Sequence, residues 1–267
     1  MNKCYDLKQI HYEKGLFDKF IDMSYVITTT TSKRHATFLH QLNKFKPTKT
    51  ITIVYNNTYK AKDCDKKICG KKVDKTSEDL MVTNKFIFEN AKKNNYNNIL
   101  ILEDDVEFSN KLLDNPEVID DIEEFITENK FNTYSLGGIM FAGEIFGKHR
   151  KVFAKGGTHA MIYSKDYRRY FNDCDENDID VYTNMPHNIN GYRYKDILAG
   201  QLHLRTENVS NWGKIASLIF FPILEYNTTK YGAVEGYEQI SKKMANFIVL
   251  LLFIIIISLL IICLFRI

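Results

Sequence analysis

Apolar and polar positions along the first half of the chain follow two periods in turn, one of a strand and one of a helix. Tyr25 to Thr29 is β-branched and apolar. After Ser32, His35, Leu39, Leu42 and Phe45 recur at helical spacing, so a strand is expected and then a helix capped by Ser32. Thr48 to Tyr55 alternates as a strand does, and Asn56 to Asp74 is a Lys-rich loop without an apolar period. Thr76 stands three residues before Asp79, as in a capping box, and Leu80, Ile87 and Ala91 share one face of the helix that follows. Ile99-Leu100-Ile101-Leu102 is apolar at every position, as in a strand buried on both faces of a parallel sheet. The order β-α-β-α-β predicts a doubly wound α/β start.

The second half is less regular. Val118, Ile119, Ile122, Phe125 and Ile126 mark an amphipathic helix after Pro116, and Phe131 to Leu136 and Thr158 to Tyr163 read as extended around Gly137-Gly138 and Gly156-Gly157. No repeat or Pro-rich linker divides the chain. The expected organisation is therefore an N-terminal extension over 1–21, one α/β domain over 22–225 and a polar connection over 226–246. Residues 247–265 are apolar apart from Ser258 and Cys263, about 28 Å as a helix, and predict a single transmembrane span. Lys230, Lys242 and Lys243 before it and Arg266 after it predict a C-terminal anchor with the domain on the cytosolic side.

Composition narrows the choice of partner. The 267 residues are 45% apolar and 26% charged with a net charge of +3, and no Lys/Arg block is interleaved with stacking aromatics, so nucleic acid is not an expected partner. The cysteines Cys4, Cys64, Cys69, Cys174 and Cys263 are odd in number, which suggests reduced thiols, with Cys64 and Cys69 as surface thiols.

Candidate chemistry gathers at Glu103-Asp104-Asp105, directly after the most apolar strand, where open α/β sheets bind ligands. A solvated turn or a helix cap is the ordinary reading of such a cluster. Three adjacent carboxylates, however, repel one another unless a cation offsets them. A divalent cation held by Glu103 and Asp105 would screen the charge on a departing diphosphate, and oxygen donors suit Mn²⁺ or Mg²⁺.

The stretch Asn97 to Phe108, NNILILEDDVEF, resembles the signature of glycosyltransferase family 25, which includes bacterial lipooligosaccharide and animal collagen galactosyltransferases. YVITTTTSKRHATFLHQL, GTHAMIYSKDYRRYF and Ile179-Asp180 are similar to further blocks of that family, in its order. The resemblance implies a GT-A-like mixed sheet, a nucleotide-sugar donor, a protein or glycan acceptor, a divalent metal and an inverting transfer. Carried over, it implies Asp105 and Glu103 at the metal, Asp104 completing the motif on the donor side, and Thr28 and Arg34 near the nucleotide. Asp180 would be the acceptor-side base, preferred to Asp178 and Glu144, and His203 or His187 a late metal ligand. Gln201 is a loose match to a late Gln block, and Lys148 to Lys151 is a basic run suited to a diphosphate. The chain departs from the family at Met161, where a Tyr is usual, and at Thr83-Asn84-Lys85, where Ser-His is usual. Those departures keep open a second expectation, a catalytically inactive scaffold acting as an interaction or structural protein. A nucleotidyltransferase is a third, without the Gly-rich phosphate loop that would support it.

Overall fold

The structure is a computed structural model that describes residues 4–176, 178–184, 190–202, 221–243, 246 and 258. The chain begins with β1 (Tyr5–His11), β2 (Met23–Thr28), α1 (His35–Phe45), β3 (Thr50–Asn56), the short pair β4 (Lys67–Ile68) and β5 (Lys71–Lys72), and α2 (Thr76–Lys93). It continues through β6 (Asn98–Glu103), β7 (Val106–Phe108), α3 (Lys111–Asp114), α4 (Pro116–Glu128), β8 (Thr133–Ser135), β9 (Ile139–Gly143) and β10 (His149–Gly156). The last elements are β11 (Ala160–Ser164), α5 (Lys165–Arg169), α6 (Ile179–Tyr182), β12 (Gly191–Tyr194), β13 (Ala199–Gln201) and α7 (Phe221–Tyr231).

Nine strands form one mixed sheet in the order β1-β3-β2-β6-β11-β8-β12-β10-β9. Its centre is parallel, β3 with β2 and β2 with β6, whereas β1 and β11 join antiparallel on either side. The result is a mixed α/β domain. The strand period of two explains the unbroken apolar run in β6. Ile99 and Ile101 pack with Met81, Ile87 and Phe88 of α2, and Leu100 and Leu102 pack on the opposite face with Phe38 and Leu42 of α1 and Ile122 of α4. All four strand residues are at most 2% exposed, so truncating one to Ala costs about 2–5 kcal/mol.

Two expected helix caps are diverted. α1 starts behind Arg34 with no side-chain cap, and the Ser32 hydroxyl donates instead to Asp104 Oδ2 at 2.6 Å. α2 likewise starts without a side-chain cap. Asp79, expected to close a capping box, instead accepts from the Asn56 amide at 3.3 Å and the Tyr59 amide N–H at 3.2 Å, and pairs with buried Lys66.

The chain outside 22–225 also takes part in this domain. β1 pairs along its whole length with β3, and the helical stretches 221–231 and 233–243 pack Leu224, Tyr237 and Ile240 against Ile139 and Ile197. The expected C-terminal anchor with a cytosolic domain is corrected. Among the described residues no helix is long and apolar enough to cross a membrane. The last described helical stretch carries Glu235, Glu238, Lys242 and Lys243 beside its buried Tyr237 and Ile240, an amphipathic pattern that suits packing on a domain. The span expected over 247–265 lies outside the described residues except for Ser258.

The expectation of free thiols is corrected as well, because Cys4 pairs with Cys64 and Cys69 with Cys174. Sequence spacing hides these pairs: they bridge separations of 60 and 105 residues that the sheet brings together. Closing a loop of the first size restricts the unfolded chain by about 4 kcal/mol.

Candidate functional site

Two parallel strands set the site. β2 and β6 are in register with Ile27 opposite Glu103, so Thr28 and the carboxylates that follow Glu103 emerge at the same carboxyl edge of the sheet. They open on a cleft of about 550 Å³ lined by Thr28, Arg34, Glu103, Asp104 and Asp105 together with Ser32, Thr29, Thr31, Thr37, Thr58 and Thr76. That volume accommodates a ligand of nucleotide size. Five of the residues expected from sequence are thus brought together.

The neighbouring carboxylates Asp104 and Asp105 have different surroundings. Asp104 is saturated: Thr28 Oγ1 donates to Oδ2 at 2.7 Å, Ser32 Oγ to the same oxygen, and Arg34 Nη1 to Oδ1 at 2.9 Å. Asp105 is 1% exposed and only half satisfied. Its Oδ2 accepts from the Gln201 amide at 2.9 Å and lies 3.4 Å from Arg34 Nη1, while Oδ1 is buried with no hydrogen-bond partner. Gln201 reaches it because β13 pairs antiparallel with β7 and sets Gln201 opposite Val106. Burial pushes the Asp105 carboxyl up to about 6, against the opposing pull of Arg34 and Gln201. Glu103 is held well above the usual carboxylate range by burial first, then by the charges of Asp105, Asp180 and Asp104, with a 3.4 Å bond from Thr158 easing the strain slightly.

Asp180 does not line the cleft. It lies in the first turn of α6, capped by Asp178, near enough to Glu103 to repel it, and its Oδ1 is buried without a partner. Lys155 of β10 is buried within electrostatic reach of both. Its Nζ has only long contacts, 3.4 Å to the Gly157 carbonyl and 3.5 Å to Thr183 Oγ1, and burial lowers it to about 8 although Asp180 and Glu103 favour its charge. Four carboxylates, Glu103, Asp104, Asp105 and Asp180, therefore face two cations, Arg34 and Lys155.

Behind Glu103, the His159 carbonyl accepts the Glu103 amide N–H at 3.0 Å. The buried His159 ring donates from Nε2 to the Ala199 carbonyl at 3.2 Å, and burial lowers the imidazole to about 4, which keeps it neutral. A Cβ on Gly137 would come within 2.6 Å of that ring nitrogen and 2.0 Å of the Ala199 carbonyl, so this approach admits only glycine. Tyr237 stands edge-on to His159 and donates to Gln201 Oε1 at 3.3 Å, which links the helix over 233–243 to Asp105.

The oxygen donors at Asp105 and Glu103 fit Mn²⁺ or Mg²⁺ in kind, and the partnerless Asp105 Oδ1 is the atom such an ion would need. Among the described residues, however, no group of three His, Cys, Asp or Glu side chains could hold a metal alone. His203 and His187 lie outside the described residues. The basic run is turned to other work: Lys148 pairs with Asp121 at 2.8 Å, the His149 ring stacks on Phe125, and none of Lys148 to Lys151 lines the cleft. Glu144 accepts the Lys151 amide N–H within the β9–β10 hairpin. Sequence reasoning missed Lys155, His159 and Tyr237. No local pattern marks them, since each reaches the site through strand pairing or helix packing.

No protein-family model and no curated protein matches the chain. Among solved structures it is similar to A197 from STIV, at 12% identity over 69% of this chain and 86% of that one, with a TM-score of 0.37. So low a score carries no argument about fold or function.

Proposed function

We propose that the protein is a metal-dependent inverting glycosyltransferase that moves a hexose from a nucleotide sugar, a UDP-hexose, to a hydroxyl of a protein or glycan acceptor. The observation that carries this reading is the threonine-lined cleft at the carboxyl ends of β2 and β6, with Arg34 held on Asp104 and an unsatisfied oxygen of Asp105 beside it. The resemblance of NNILILEDDVEF to family 25 supports it from the sequence side.

In this reading Arg34, oriented by Asp104, draws the diphosphate into the cleft, and the threonine hydroxyls bind the ribose and phosphate oxygens. Asp105 and Glu103 would hold Mn²⁺ or Mg²⁺, and that ion would supply the charge screening that the leaving diphosphate needs. Asp180, which lies outside the cleft and beyond Glu103, would take the proton of an acceptor hydroxyl that approaches from that side. Incubating the full chain with UDP-glucose, UDP-galactose and nucleoside triphosphates, with product masses read out, tests the reading. Release or transfer of hexose is expected. A folded chain that leaves every UDP-sugar intact in the presence of Mn²⁺ would overturn it, and turnover of triphosphates alone would favour a nucleotidyltransferase.

One observation favours a second reading. Arg34 pairs with Asp104 and reaches Asp105, so a side chain of the protein itself offsets part of the acidic turn's charge, as a catalytically inactive scaffold retained for interaction would require.

A further inference from the structure

The helix over 233–243 reaches the acidic turn through one side chain. Tyr237 is 3% exposed, so its hydroxyl needs an acceptor from the protein itself. It donates to Gln201 Oε1 at 3.3 Å, and the other end of the same amide, Nε2, donates to Asp105 Oδ2 at 2.9 Å. A glutamine amide has one accepting end and one donating end, so a hydroxyl donor on one side fixes which end faces Asp105. Turned over, the amide would set its oxygen against a carboxylate oxygen. The donors therefore run one way, from Tyr237 through Gln201 to Asp105, and each bond polarises the next. Neither Gln201 nor Tyr237 lines the cleft, so both act from behind Asp105, whose Oδ2 is engaged while Oδ1 is not.

Tyr237 is itself held from several sides. Its ring stands edge-on to His159 with 5.7 Å between centroids, and His159 is tied to the Ala199 carbonyl of β13, the strand that also carries Gln201. The helix begins against the backbone of that strand: a Cβ on Gly200 would come within 2.6 Å of the Ala233 carbonyl carbon, and the Ala233 amide N–H donates to Glu107 Oε2 at 3.3 Å. Further along, Glu238 accepts from Lys111 Nζ at 2.7 Å. We infer that Tyr237 is a positioning residue of the ligand site: it orients the Gln201 amide so that Asp105 presents Oδ1, and not Oδ2, to the incoming ligand. The inference rests on the glycosyl-transfer reading of the same site and deepens it, because it makes the helix over 233–243, beyond the domain expected from sequence, part of the donor site.

Nuclear magnetic resonance and calorimetry on the full chain test this. In the ligand-free wild type the Gln201 side-chain N–H signals should exchange slowly with solvent, and Tyr237→Phe, which keeps the ring and removes only the hydroxyl, should bring them to the rate of an exposed amide. A ring that only fills space would leave that signal unchanged. With UDP and Mn²⁺, binding should weaken about threefold in Tyr237→Phe and about tenfold in Gln201→Leu, and the double variant should bind no more weakly than Gln201→Leu. Equal protection in wild type and folded Tyr237→Phe, or a double variant weakened about thirtyfold as independent effects would give, overturns the inference. Should Tyr237→Phe not fold, an unprotected Gln201 amide in the wild type overturns it without any variant. Absence of UDP binding by a folded wild type overturns the glycosyl-transfer reading and the ligand role of Tyr237 with it, and a protected Gln201 amide in that same chain tells this outcome from the others.

Discussion

Asp104 and Asp105 are adjacent in sequence and differ in nearly every physical respect. Asp104 has all its capacity met by Thr28, Ser32 and Arg34, whereas Asp105, buried more deeply, keeps one oxygen without a partner and titrates near 6. A carboxylate that organises its neighbours is a scaffold part. One that is desolvated and left short of partners stores unfavourable energy, which a ligand can release. The contrast assigns Asp104 to holding Arg34 in place and Asp105 to meeting the ligand.

The largest effect that sharpens the contrast is on turnover. Asp105→Asn should lower UDP-hexose turnover by a thousandfold or more, about 4 kcal/mol in the barrier, in an assay of product mass, while circular dichroism shows an unchanged fold. Asp104→Ala should act on stability instead, costing about 3 kcal/mol in urea denaturation because it strands a half-buried guanidinium and two hydroxyls. A next effect is pH dependence. The Asp105 carboxyl binds its proton more tightly folded than unfolded, so in metal-free buffer its own contribution to stability should be largest below about pH 4. It should fall by on the order of 2–3 kcal/mol as the pH rises to about 6, and thermal denaturation of Asp105→Asn should lose that step. The smallest effect is at Gln201. Removing its amide with Gln201→Leu leaves Asp105 Oδ2 without its side-chain donor and should weaken Mn²⁺–UDP binding about tenfold, near 1.4 kcal/mol, by calorimetry. If Asp104→Ala abolished turnover without loss of stability, or Asp105→Asn unfolded the chain, the two roles would have to be exchanged.

The legible part of this molecule is what local pattern encodes. The apolar run of β6, the helical spacing of α1 and Pro116 at the start of α4 all follow from the residues themselves, and so does the acidic turn at a strand end. Misreadings arise where a polar side chain has two possible employers. Ser32 and Asp79 are spaced to cap helices, yet Ser32 serves Asp104 and Asp79 serves Lys66, because buried charges compete for the same donors and acceptors. The rest is non-local. The Cys69–Cys174 pair, the Gln201 bond to Asp105 and the place of Lys155 within electrostatic reach of Asp180 each depend on contacts between segments far apart in the chain. In the sequence Lys155 sits just beyond the basic run Lys148 to Lys151, and what sets it apart is the Asn184 side chain, which accepts its amide N–H and donates to its carbonyl.

The most direct measurement is a calorimetric titration of the full chain with UDP in the presence of Mn²⁺, run beside Asp105→Asn. The account predicts saturable heat at one UDP per chain for the wild type and none for the variant. A folded wild type that gives no heat, or a variant that gives the same heat, would contradict it.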